Sequence, residues 1–283
     1  MFKRISFGYH LVIIAVATLV FTNNANAALT LEQIQQVLQK KAIPIWQNAA
    51  TKIKYLIKNP PNSKAAETWK ELDAETDITT GKAPLARATM AKDGNDLFLI
   101  ATWLRWRILS ENADPRYSYA YAADLHYMRD ERGDFHKDAA IFFYNAKLGL
   151  DIDGARCADK ASPQSIALGF ETQKYVQPLI ENIAKMSKLD KASAILEAVA
   201  IEEMRGERPL LEAFCTSGAN SMLKAISAGS KPEKIKSSDS KIPGDTYSID
   251  VSKVKPQVIP DIEWQKKRRE ILDGYVKSAI ELL

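Results

Sequence analysis

Apolar positions recur at helical spacing along almost the whole chain. In 31–58, Leu31, Ile34, Leu38, Ile43, Ile45, Ile53 and Leu56 mark one stripe, which Pro44 divides into two helices or bends into one kinked helix. Asn59, Pro60, Pro61 and Asn62 end it, and 63–72 reads as a short helix. Residues 73–95 are polar and rich in turn formers (Gly81, Pro84, Gly94), with a helical turn or two over 85–92. Residues 97–110 are apolar almost all round apart from Arg105 and Arg107, the pattern of a buried helix.

A helix follows over 117–130, with Pro115 just ahead of it, and another over 137–148, which Gly149 should end as the residue after the cap. Ser162 and Pro163 signal the next helix start, and Pro178 divides that stretch into 164–176 and 179–186. Asp190 should cap a helix over 191–205 that Gly206 closes, and Pro209 opens one through Cys215 to Gly229. Alternating, β-branched runs are nearly absent, so the pattern predicts an all-α fold, an irregular array of helices and helical hairpins.

Residues 230–260 hold Pro232, Pro243, Pro256 and Pro260 in a Ser/Lys-rich stretch with few large apolar residues. They read as an extended linker without a core of its own. Helical spacing resumes over 261–283, where Ile262, Trp264, Ile271, Tyr275 and Ile280 need cover from water and Asp261 should cap the helix. The expected division is therefore 1–27, 28–229 as one helical domain, 230–260 as the arm, and 261–283 as a helix docked back on the body.

Residues 1–27 read as an export signal. Lys3 and Arg4 precede an apolar run, Leu11 to Phe21, that is shorter than a membrane span, and Ala25 and Ala27 supply a small-residue cleavage site. That places the protein in the periplasm or outside the cell. Removing Lys3 and Arg4 leaves 37 basic against 35 acidic residues, a net charge of +2. So small an excess argues against a nucleic-acid partner and leaves a protein or cell-envelope partner as the expectation. Hydrophobic residues at 46% and charged residues at 26% exclude a disordered chain. In an oxidising compartment, Cys157 and Cys215 are expected to pair.

Candidate chemistry is sparse, and nothing signals a cofactor. Asp124, His126, Asp130, Asp134, His136 and Asp138 crowd one turn, with His126 and Asp130 one helical turn apart. His126, Asp130 and His136 are weak metal-ligand candidates, because no H-E-x-x-H or four-ligand spacing accompanies them. Ser221-Met-Leu-Lys224 matches an S-x-x-K template, as do Ser238 to Lys241 and Ser252 to Lys255, but no K-T-G or G-x-S-x-G accompanies them. Thr79-Thr80-Gly81-Lys82 lacks the upstream glycine of a phosphate loop.

Trp103, Trp106, Tyr117, Tyr119, Tyr121 and Tyr127 lie on two consecutive helices. Were Trp103, Trp106, Tyr117, Tyr121 and Tyr127 to converge on a groove, they would stack on a peptide or glycan. The catalytic alternative is a cell-envelope hydrolase using Glu202 and Glu203 as acid and base.

Ala122-Ala123-x-Leu125-x-Tyr127, Gly133, Lys137 to Ala140 and Phe143-Tyr144-x-Ala146-x-x-Gly149 together resemble one Sel1-like or tetratricopeptide unit. The resemblance implies paired helices in close approach, stacked to form a binding surface. It spans about 30 residues, no second copy recurs at a fixed period, and the first helix lacks the expected glycine. A binding or interaction scaffold without a catalytic signature is the function these readings favour. Intact-mass analysis of the exported protein should find Ala28 as the first residue, and a start elsewhere would refute the signal reading.

Overall fold

The computed structural model describes residues 30–75, 91–128, 135–159, 171, 176–210, 213–216, 218–235, 246–251 and 254–283. The protein is all-α. Its described helices are α1 (Leu31–Val37), α2 (Ile43–Lys58), α3 (Ser63–Glu75), α4 (Gly94–Ser110), α5 (Pro115–Tyr127) and α6 (His136–Ala155). After these come α7 (Gln177–Lys185), α8 (Lys188–Arg205), the short α9 (Ala213–Thr216), α10 (Ala219–Ser227) and α11 (Asp261–Leu282). Residues 1–27, with the expected export signal, Ser162-Pro163, Gly81 and Asp130 lie outside the described residues. No described helix is long and apolar enough to cross a membrane.

Pro44 neither breaks nor ends the first helix. A π-helical turn over Leu38–Ala42 joins α1 to α2, and Pro44 sits in the first turn of α2. The wider turn accommodates a residue that has no N–H to give. Thr30 caps α1 in a box with Gln33, and Asp93 caps α4 through the amides of Asn95 and Asp96. Ser187, rather than Asp190, caps α8 by accepting from the Asp190 amide, and Gly206 at φ 68° closes it. Pro178 lies at the start of α7 and opens that helix. Asp261 is the first residue of α11 and makes no capping bond; Pro260 precedes it.

Gly149 does not stop α6, which runs to Ala155. Its missing side chain serves packing instead. A Cβ there would stand 2.8 Å from Pro115 Cγ and 3.3 Å from Arg208 Nη2, so only glycine lets α5 and Arg208 approach this closely.

The centre of the molecule is α6, packed against α5, α8 and α11, while α4 bridges α2 to α5. Trp103, Tyr119, Phe142, Phe214 and Trp264 are among the largest fully buried side chains. Between α6 and the chain just beyond α8 lies a buried charged cluster. Arg208 Nη1 donates to both Glu202 oxygens at 2.7 Å, Nη2 donates to Asp153 Oδ1 at 3.0 Å and to the Gly149 carbonyl at 3.3 Å, and Nε donates to Asp153 Oδ2 at 3.2 Å. Arg205 reaches the Ala113 carbonyl before α5 and lies 3.8 Å from Glu202. Asn145 of α6 accepts from Ser118 and donates to the Ala198 carbonyl, at 2.9 and 3.3 Å.

Cys157, just past α6, is disulfide-bonded to Cys215 of α9, with Cα atoms 5.0 Å apart. The arm pairs rather than simply trailing: Glu233–Ile235 (β1) and Thr246–Ser248 (β2) form a two-stranded antiparallel ladder with Lys234 opposite Tyr247. Its far end is stitched beside the disulfide by Ala158 N–H to the Gln257 carbonyl and Ile259 N–H to the Arg156 carbonyl, both 2.9 Å. Helix α11 then lies on α6 and α8, burying Trp264, Leu272, Val276 and Ala279. The Trp264 indole donates to the Ile152 carbonyl at 3.0 Å, and the Arg156 guanidinium sits 3.6 Å over its ring.

Replacing Arg208 by Met should leave Asp153 and Glu202 buried without their cation. The expected loss is about 3–5 kcal/mol of unfolding free energy, read from the denaturant midpoint. A loss under about 1 kcal/mol would show that the cluster is not holding the helices together.

Candidate functional site

Three helices each present one stripe to the same space. From α2 come Ile45, Ala49, Ile53 and Leu56; from α4, Phe98, Ala101, Thr102 and Arg105; from α5, Tyr121, Leu125 and Met128. These spacings of three and four residues keep each set on one helical face. Phe135 and Asp138, at the start of α6, add to the wall. Together these residues line a cavity of about 580 Å³ that is open on one side. Its volume, mostly apolar lining and few polar groups match a small-molecule site.

The polar groups are concentrated. Arg105 is 5% exposed on an otherwise apolar helix, and Tyr121 is 6% exposed with its ring edge-on to Phe142 at 4.6 Å. Burial pushes the Arg105 pKa down, while Tyr121 and Asp138 act to raise it. Burial likewise pushes the Tyr121 hydroxyl well up, against the lowering field of Arg105, so it remains a protonated donor. Thr102 spends its hydroxyl on the Phe98 carbonyl, 2.7 Å away within its own helix. Asn48, Thr51, Lys52 and the exposed Tyr55 of α2 form the mouth.

Behind the wall, Trp46 of α2 donates from Nε1 to Glu197 Oε2 of α8 at 2.6 Å. Glu197 is 2% exposed, and its Oε1 has no hydrogen-bond partner. Burial drives its pKa up to about 7, opposed by the Trp46 bond and reinforced by Asp138.

The five candidate aromatic residues are spread over different surroundings among the described residues. Of the five only Tyr121 lines the cavity. Trp103 is fully buried on another face of α4, donates to Asp73 Oδ1 at 2.8 Å and packs on Tyr117 at 5.9 Å. Trp106 is half-buried and shares the Arg107 guanidinium with Trp103 and Tyr117, at 5.5–5.9 Å. Tyr127 is exposed, edge-on to His126. Core packing claims Trp103 and Tyr117 because an indole or phenol ring buries more area there than on a groove wall.

The fold does bring His126 and His136 together, with ring centroids 5.3 Å apart, and places Asn182 Nδ2 3.5 Å from His126 Nδ1. Asp130 lies outside the described residues, and among the described residues no three His, Cys, Asp or Glu side chains are placed to hold a metal. Asp124 is buried, and burial raises its pKa well above the usual carboxylate range.

Glu202 and Glu203 do not form an acid–base pair. Both Glu202 oxygens are held by Arg208 in the core, whereas Glu203 turns to Arg269 of α11 at 2.8 Å. Ser221 is buried, its hydroxyl donating to the Cys215 carbonyl at 3.4 Å, while Lys224 is exposed. That arrangement gives no activated nucleophile. A further polar cluster joins α5, α6 and α11: Glu171 accepts from Tyr119 and Lys147, and Asp151 accepts from Tyr275 at 2.7 Å. Its carboxylates act as struts between elements.

No protein family, curated protein or solved structure matches this chain. Function must be read from its own geometry.

A carboxyl group whose pKa is raised by folding stabilises the fold when protonated. Glu197 should therefore contribute fully below about pH 4.5 and lose that contribution as the pH rises through 7. At about 1.4 kcal/mol per pH unit the window holds on the order of 3 kcal/mol. Glu197→Gln keeps the acceptor for Trp46 and cannot ionise. It should be more stable than the parent at pH 8.5, with the gap closing near pH 4.5, in urea unfolding across pH. Parallel curves for the two proteins would sink this assignment.

Proposed function

We propose that this protein is an exported helical binding protein that holds a small, largely apolar ligand in the cavity between α2, α4, α5 and the start of α6. The observation that carries the reading is the convergence of three helical stripes on about 580 Å³ of space with Arg105, Tyr121 and Asp138 in its wall. A merely structural helix contact would fill such space with side chains, since interiors pack to crystal density. Here the stripes include Ala49 and Ala101, which leave room, and buried polar groups that fix an orientation.

Export is supported by the signal-like pattern of residues 1–27 and by the Cys157–Cys215 disulfide, which suits an oxidising compartment. In the periplasm the source of an apolar ligand is the cell envelope. The hydrolase alternative has no observation in its favour, because among the described residues no pair of carboxylates converges in the cavity.

A neutral solvatochromic dye such as Nile red should bind with one-to-one stoichiometry and a blue-shifted emission. Ala49→Phe, at a half-buried position on the cavity wall, should abolish that signal while leaving the thermal melt unchanged. Ala101→Leu fills from the opposite helix and should weaken it. Dye binding that ignores both substitutions, or that fails in the parent protein, would overturn the reading.

A further inference from the structure

The helix that forms one wall of the cavity is chemically one-sided. From residue 38 to residue 58 the chain carries Lys40, Lys41, Lys52, Lys54 and Lys58 and no Asp or Glu. All of these lysines are exposed, and none takes part in an ion pair with a described residue. Lys52 stands at the mouth itself, among the uncharged Asn48, Thr51 and Tyr55, whereas Lys54 and Lys58 lie on other faces of the same helix. Tyr55 is 71% exposed, an amphipathic ring held at the boundary between the apolar interior and water.

The interior is different. Arg105 and Asp138 both line it, and their opposite charges act on one another. Their fields offset, so the inner wall attracts no net charge, while the mouth is positive. A molecule that fits both regions has a long apolar part and a negative end, with the negative end outermost.

We propose that the cavity takes the apolar chain of an anionic amphiphile, a carboxylate or a phosphate monoester, whose head is held at the mouth by Lys52 of α2. The inference rests on the reading of the cavity as a ligand site. Depth of chain burial supplies most of the affinity, at about 0.8 kcal/mol per methylene. Head-group attraction supplies selectivity and a dependence on ionic strength.

Four probes with one chain length separate the contributions: dodecanoate, dodecyl phosphate, dodecanol and dodecyltrimethylammonium. Each is titrated below its micelle threshold into the full-length mature protein, with displacement of bound Nile red as the readout and calorimetry as a check. Dodecanoate or dodecyl phosphate should bind about two- to fivefold tighter than dodecanol, the gain of one exposed ion pair. The cation should bind weakest, and the anion's advantage should shrink as salt rises from about 0.02 to about 0.5 M, which shortens the Debye length roughly fivefold. Which of the two anions binds more tightly distinguishes a fatty-acid head from a phosphorylated one.

Lys52→Gln should bring the anions down to the level of dodecanol and leave dodecanol itself unmoved. The position is exposed, so the fold should be unaffected, which circular dichroism checks. Equal binding of all four probes overturns the head-group inference and leaves the cavity reading intact. An anion preference that survives the Lys52 substitution overturns the placement at the mouth and moves the head inward to Arg105. Displacement by none of the four removes the proposed function together with the inference.

Discussion

Arg208 is the interaction on which the remaining architecture depends. A guanidinium with its side chain 2% exposed must find acceptors for its N–H groups, and here it takes two carboxylates and a helix carbonyl from α6 and α8. Because those acceptors sit on different elements, satisfying one residue fixes the relation of α6 to α8 and of both to the chain that follows. Gly149 gives it room beside Pro115, and the Arg208 carbonyl accepts from Arg156 at 2.7 Å. Arg156 in turn covers the Trp264 ring, so the same chain of contacts reaches α11. The charge cluster decides where helices sit, and the apolar core around it supplies most of the stability.

The cavity is a consequence of the same rigidity. Four tryptophans donate their indole N–H to a different element: Trp46 to Glu197, Trp69 to the Leu99 carbonyl, Trp103 to Asp73 and Trp264 to the Ile152 carbonyl. The first three brace α2 and α4 from positions away from the cavity. Ser110 adds a bond from α4 to the Ala50 carbonyl of α2 at 3.1 Å. With the walls held by directional bonds on their outer faces, small residues such as Ala49 and Ala101 on the inner faces leave space instead of drawing the helices together.

The helical periodicity of the sequence was enough to place most of the elements, because each amphipathic run buries one stripe. The Cys157–Cys215 pairing followed from there being two cysteines and an expected oxidising compartment. Boundaries were less legible where tertiary contact overrode a local signal. Gly149 looked like a helix end and is a packing glycine; Pro44 looked like a break and sits after a π turn. The site was harder to see. Aromatic residues draw attention in a sequence, yet Trp103 and Tyr117 were taken by the core, and the cavity is lined largely by Ile, Leu, Ala and Phe that any helix would carry. Tyr121 was the one candidate binding residue that lines it, and Arg105 showed only as a charge inside an apolar run, whose meaning needed Tyr121 and Asp138 from two other helices.

That asymmetry follows from what each kind of residue requires. An apolar side chain accepts any dry neighbour, so its position in the sequence predicts burial but not what it will touch. A buried arginine or carboxyl requires particular partners, and those partners come from distant parts of the chain, as Glu197 does for Trp46 across 151 residues of sequence. Residues with demanding chemistry are therefore visible early as anomalies and interpretable only once the fold supplies their neighbours. In this protein Arg208 found carboxylates of both α6 and α8 and became structure. Arg105 found Tyr121 and Asp138 beside open space, which leaves its wall able to face a ligand.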